Sequence, residues 1–139
     1  MQNLPRVLFL CIGNACRSPM GEGWLRHLAP QRFRALSGGV HPIGVQPETV
    51  QVMAERGVDI SDLSSKYVHR LLQDPPEVLI ALSRTALAEA PPVPRTTRLL
   101  VWPVRDPYTV EGDRETVLAA YRAARDEIEQ RLRDWLAAG

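Results

Sequence analysis

Residues 6–28 read RVLFLCIGNACRSPMGEGWLRHL: an apolar run that stops at a cysteine, a short loop, then a Ser-Pro pair. Arg6–Leu10 is short and rich in β-formers, as a buried strand of a parallel sheet would be. Ser18 is placed to cap a helix and Pro19 to open it, because a hydroxyl there accepts an orphan N–H and proline needs no partner. The helix then runs to about His27 or Leu28. Strand, loop and helix follow one another, and the loop spans residues 11–18.

Outward from this unit the pattern repeats. Phe33–Ser37 reads as a second strand, Pro47–Arg56 as a helix stopped by Gly57, and Glu77–Leu82 as a third strand followed by a short helix. Leu99–Trp102 gives a fourth strand. From about Asp113 an amphipathic helix carries Val117, Tyr121, Ala124, Ile128, Leu132 and Trp135 on one face. This alternation predicts an α/β fold: a single domain over residues 1–139, with a four-stranded parallel sheet flanked by helices on both faces. Ligands of such sheets bind at the carboxyl ends of the strands, where the loop 11–18 lies. No repeat interrupts the chain, although Pro91, Pro92 and Pro94 mark an irregular connection.

The composition agrees with one core. The chain has 139 residues, 45% hydrophobic and 24% charged, with a formal net charge of +1. Its basic residues are scattered, which argues against nucleic acid or a membrane surface as partner and for a small one. No apolar run approaches the roughly 18 residues of a membrane span, and the N-terminus lacks the features of a signal peptide, so a cytoplasmic location is expected. Cys11 and Cys16 share one short loop, cannot staple a fold, and are expected to be thiols there.

In C-I-G-N-A-C-R-S, successive backbone N–H groups converge on one point, and the following helix adds its positive end. The loop Ile12, Gly13, Asn14, Ala15, Cys16, Arg17 and Ser18 is therefore a candidate nest for a tetrahedral oxyanion. Arg17 offers a planar fork for two oxygens, Gly13 frees the backbone to curl, and Asn14 tolerates a left-handed conformation. The same field, with the Ser18 hydroxyl, stabilises a thiolate at Cys11 and makes it the candidate nucleophile. The plainer alternative is a buried cysteine at a strand end beside a surface arginine. Cys16 is either a packed small side chain or a redox partner, its disulfide with Cys11 serving as a protective off state. His27, His41 and His69 have no metal-ligand spacing and read as surface or packing residues, so neither a metal nor a bound cofactor is expected.

The loop resembles the C-x5-R-S signature shared by low-molecular-weight protein tyrosine phosphatases and by thioredoxin-coupled arsenate reductases of the same fold. Pro19 looks like the phosphatase branch. The stretch SGGVHPIGVQPETVQVMAERGVDISDLSSK (residues 37–66), WPVRDP (residues 102–107) and YRAARDEIEQRLRDWL (residues 121–136) look like the reductases. The resemblance implies that Asp106, just past the fourth strand, is a general acid for the departing oxygen. An Asp-Pro turn held by local backbone contacts is the alternative. Tyr108 resembles the aromatic residue that flanks phosphotyrosine in the phosphatases.

Two departures matter. The relay cysteines of the reductases align with Ser83 and Ala90 in LSRTALAEAPPVP, so the internal route to thioredoxin should be absent. Lys66 stands where some reductases place a potassium-binding acid, so no cation site is expected there. The resulting expectation is an arsenate reductase whose Cys11 adduct is resolved by an external low-molecular-weight thiol, with a glutaredoxin-like protein completing the cycle. The alternatives are a tyrosine phosphatase acting through a phosphocysteine, and a non-enzymatic oxyanion sensor. Arsenate or phosphate is the expected oxyanion.

Overall fold

β1 (Arg6–Cys11), β2 (Arg34–Gly39), β3 (Val78–Ala81) and β4 (Arg98–Val101) form one parallel sheet in the order β2-β1-β3-β4. The computed structural model describes residues 3–139. Five helices accompany the sheet: α1 (Arg17–Leu28), α2 (Pro47–Ala54), α3 (Val68–Leu71), α4 (Arg84–Glu89) and α5 (Arg114–Ala138). A short 3-10 turn covers Pro107–Thr109. The chain leaves β1 for β2 on one side and later returns to β3 on the other. A crevice therefore opens beyond the carboxyl end of β1, where open α/β sheets place their ligands.

The strand residues alternate between two cores, as the pleat requires. Val7, Phe9 and Ile80 face a layer built from α1, α2 and α5, with Trp24, Met53, Ile128 and Leu132 fully buried. Leu8, Leu10, Leu79 and Ala81 face the opposite layer, with Val68 of α3 and Ala86 of α4. Each such large apolar side chain contributes about 1.5–3 kcal/mol on burial. The face expected of α5 is the one that packs: Tyr121, Ala124, Ile128 and Leu132 are buried, while Val117 and Trp135 are partly covered. Asp113 caps that helix by accepting from the Thr116 N–H at 2.8 Å. Gly21 lets α1 lie directly on the Phe9 ring, where any Cβ would overlap ring carbons.

Several boundaries differ from the expected ones. Helix α1 begins at Arg17, with Cys16 at its N-cap position and no side-chain cap. Ser18 is therefore not the cap; its hydroxyl turns to Cys11 instead. Pro19 still falls in the first turn, where a missing N–H costs nothing. Strand β2 extends to Gly39 because Gly38 and Gly39 pair with Leu10 and Cys11. Strand β4 starts a residue early because Arg98 pairs with Val78. Helix α2 ends at Ala54, before Gly57 turns at φ +74°. Helix α3 was not expected; four residues carry too little periodicity to show.

Candidate active site

The loop after β1 is polarised by its surroundings. Its carbonyls face outward and are taken: Ile12 O by the His41 N–H at 2.8 Å, Gly13 O by Ile43 at 3.1 Å, and Ala15 O by Gln46 at 3.0 Å. The Thr49 hydroxyl also donates to Ala15 O at 2.8 Å, and the Ser65 hydroxyl to Asn14 O at 2.6 Å. The N–H groups of Gly13, Asn14, Ala15, Cys16 and Arg17 donate to no group among the described residues. Carbonyls fixed outward leave these donors turned inward, which is the polarity of an anion nest. The close approach depends on Gly39, where a Cβ would stand 2.6 Å from the Asn14 nitrogen and 2.7 Å from Ile12 O. Asn14 takes the left-handed conformation, at φ 46°. Gly13 does not; its lack of a side chain instead admits Ile43, whose Cγ1 would be 3.0 Å from a Cβ there.

Cys11 ends β1 and is 2% exposed. Its Sγ lies 2.9 Å from the Ser18 hydroxyl and 3.4 Å from the Ser18 N–H. The wholly buried Asn14 amide holds Ser18 in place: Nδ2 donates to Ser18 Oγ at 2.8 Å and to Ser37 Oγ at 3.0 Å. Asn14 Oδ1 accepts from the Lys66 N–H at 2.7 Å. The Ser37 hydroxyl in turn donates to Glu22 Oε1 at 2.5 Å. Burial pushes the Glu22 carboxyl above its ordinary range, against the opposing hydrogen bond from Ser37. Lys66 itself turns outward, its ammonium donating to Ser64 O.

Arg17 is buried beneath the nest. Nη1 donates to Val104 O at 2.8 Å and Leu82 O at 3.3 Å, and Nη2 faces Asp106 Oδ2 at 3.4 Å. Its Nε is the one buried side-chain nitrogen or oxygen without a partner among the described residues. An orphan donor of a charged group, in a water-poor site, fits an anion that completes its bonding. Asp106 holds the Asp-Pro turn of its alternative reading and also faces Arg17. Oδ1 caps the 3-10 turn by accepting from the Tyr108 N–H at 3.0 Å, while Oδ2 is turned to Arg17.

Cys11 opens into a cavity of about 330 Å³ whose wall includes Ile12, Cys16, Arg17, Ile43, Asp106 and Tyr108. Cys16 is 2% exposed and donates its S–H towards Tyr121 Oη at 3.5 Å. Burial pushes its thiol up to about 12. A larger groove lies at the other end of the sheet, but Arg6 and Arg26 there are already engaged by Asp74 and Asp62. Ser83 caps α4 by accepting from the Ala86 N–H at 3.1 Å. His27 packs on Trp24 and His69 on Tyr67, as their sequence reading expected. His41 is a surface residue as well; it also lines the cavity, and its Nε2 is 2.8 Å from Glu89 Oε1.

The family model for low molecular weight phosphotyrosine protein phosphatase matches residues 6–138. An arsenate reductase of Halalkalibacterium halodurans is 33% identical over 133 residues, 96% of each chain. A solved arsenate reductase in its phosphate-binding state superposes with a TM-score of 0.79 at 26% identity, covering 97% of this chain and 98% of that one. The low molecular weight protein tyrosine phosphatase of T. tengcongensis superposes at 0.77 with 25% identity, covering 97% and 99%.

Proposed function

This chain belongs to the low molecular weight phosphotyrosine protein phosphatase family, and from that membership we propose that it is a thiol-dependent arsenate reductase. The observation that carries the reading is the ring of five undonated N–H groups and the partnerless Arg17 Nε around Cys11. The Cys11 thiolate attacks arsenic, and Asp106 protonates the departing oxygen, which leaves as water. The nest and Arg17 hold the resulting Cys11–arsenate adduct. An external low-molecular-weight thiol then attacks Cys11 Sγ. The S–As bond breaks with its electron pair going to arsenic, releasing arsenite and leaving a mixed disulfide. A second thiol, or a glutaredoxin-like protein, restores Cys11. The names of the curated relatives support arsenate as substrate.

Two observations support an external thiol. Ser83 is a helix cap and Ala90 carries no sulfur, so α4 offers no dithiol. Cys16, held as a protonated thiol by burial, is a poor nucleophile and serves as packing against Tyr121 during turnover.

One feature favours phosphotyrosine as a second substrate. Ile12, Ile43 and Tyr108 give the cavity apolar walls, and Ile43 and Tyr108 stay 51% and 53% exposed at its mouth. Such walls suit an aryl ring more than a bare oxyanion. The two activities share one thiolate and one nest. The deciding experiment supplies the purified chain with arsenate plus either small thiols or thioredoxin, and in parallel with p-nitrophenyl phosphate. Arsenite should form with small thiols, not with thioredoxin alone, and not in Cys11→Ser. Rapid ester hydrolysis without arsenite from any thiol would make the chain a phosphatase only.

A further inference from the structure

We propose that His41, oriented by Glu89, is the general base that deprotonates the thiol attacking the Cys11–arsenate adduct; this rests on the thiol-dependent reading above. The backbone N–H of His41 donates to Ile12 O at 2.8 Å, which fixes the residue beside the nucleophile loop. His41 is also one of the residues that line the cavity into which Cys11 opens, with its side chain open to solvent. Nε2 faces the Glu89 carboxylate at 2.8 Å, so the proton of the neutral ring resides on Nε2. That leaves Nδ1 as the basic nitrogen, and it has no partner among the described residues. A base held in one tautomer by a carboxylate, on a residue that lines the cavity an attacking thiol must enter, is the arrangement that activates a nucleophile.

The reaction needs such a group. A free alkyl thiol, with a pKa of about 8.5, is mostly protonated at neutral pH, and only its thiolate attacks sulfur. Asp106, left as a carboxylate once it has protonated the departing oxygen, is paired with Arg17 and as a carboxylate is a weaker base than an imidazole, and the cavity wall holds no other histidine. In the proposed step the thiol S–H bond breaks and its proton goes to His41 Nδ1. The new S–S bond forms to Cys11 Sγ, and the S–As pair stays on arsenic, which is reduced by two electrons while the two sulfurs are oxidised. His41 returns the proton to solvent before the second thiol arrives. Glu89 is a positioning residue, since it meets the reactants only through His41.

The test compares two reductants with the full chain at pH 7: 2-mercaptoethanol, which needs deprotonation, and 2-nitro-5-thiobenzoate, which is already ionised. Arsenite formation is followed for each. The ratio of the first rate to the second should fall about tenfold or more in His41→Gln, in keeping with general-base catalysis. Glu89→Gln should lower the same ratio by less, and Glu89→Asp should recover part of it. Exposed ion pairs add little stability, so melting temperatures should barely move. A normal wild-type rate with an unchanged ratio in His41→Gln would overturn the role of His41 alone. No arsenite from the unaltered chain with either thiol would overturn the arsenate reading itself.

Discussion

The double variant Ser83→Cys/Ala90→Cys places a dithiol at the two ends of α4, where the resemblance to thioredoxin-coupled reductases puts the relay. The helix keeps the two positions apart. Seven steps of about 1.5 Å separate their Cα atoms by roughly 10 Å along the axis, whereas a disulfide needs them within about 7 Å. Closing the bond must break the Leu87 N–H to Ser83 O and Ala90 N–H to Ala86 O bonds, at 3.1 and 2.9 Å. The Ser83 cap is already lost with its hydroxyl. Each backbone bond contributes roughly 1 kcal/mol, so closure costs about 2 kcal/mol. Passing the disulfide from the first new thiol's bond with Cys11 to a bond between the two new thiols is then disfavoured about thirtyfold relative to an unstrained pair. Thioredoxin-driven arsenite formation in the double variant should stay near one thirtieth of the small-thiol rate. Adding Leu87→Gly, which weakens the helix by about 1 kcal/mol, should raise it roughly fivefold. Coupled assays with thioredoxin and its reductase measure both. A double variant that already runs as fast with thioredoxin as with small thiols would refute the idea that α4 is the obstacle.

Two other substitutions separate roles that now coincide. Asp106→Asn keeps an oxygen for the Tyr108 N–H, so the turn should persist while the acid is lost. Hydrolysis of phenyl phosphate should fall about a hundredfold or more, and that of p-nitrophenyl phosphate far less; equal losses would leave Asp106 a turn residue. Glu22→Gln keeps an acceptor for the Ser37 hydroxyl but removes a buried charge. The folded state raises this carboxyl above its unfolded value, so its contribution favours the fold at low pH and is lost as pH rises through the folded value. The variant should therefore melt higher than the parent at pH 8, with the gap narrowing towards pH 4; a gap of the same size at both would contradict the assignment.

The strands and the site loop were legible because their signals are local. An apolar run ending at Cys11 needs no distant partner to read as a strand, and a glycine, an asparagine and an arginine within one loop already imply a nest. What was not legible depends on residues far apart in the chain. Ser18 has the form of a helix cap, yet the hydroxyl is claimed by Cys11 and Asn14, so tertiary contacts override the local preference. Gly39 shows its need for a missing side chain only when β2 lies against the loop. His41 reads as a surface residue and is one, but its pairing with Glu89, 48 positions on, shows only in the fold.

Asn14 joins this fold to its chemistry. A buried amide that accepts from the Lys66 N–H cannot be flipped, so both Nδ2 hydrogens are committed, one to Ser18 and one to Ser37. Each hydroxyl then accepts on one side and must donate on the other. Ser37 donates to Glu22. Ser18 has two acceptors in range, Cys11 Sγ at 2.9 Å and Gly38 O at 3.5 Å, and the nearer one is the sulfur. The Ser18 N–H points at the same atom. Cys11 is thus met by donors whose direction was fixed by a neighbouring amide, before any anion arrives. Side chains held in place around the sulfur before the reaction begins are what a preorganised site requires.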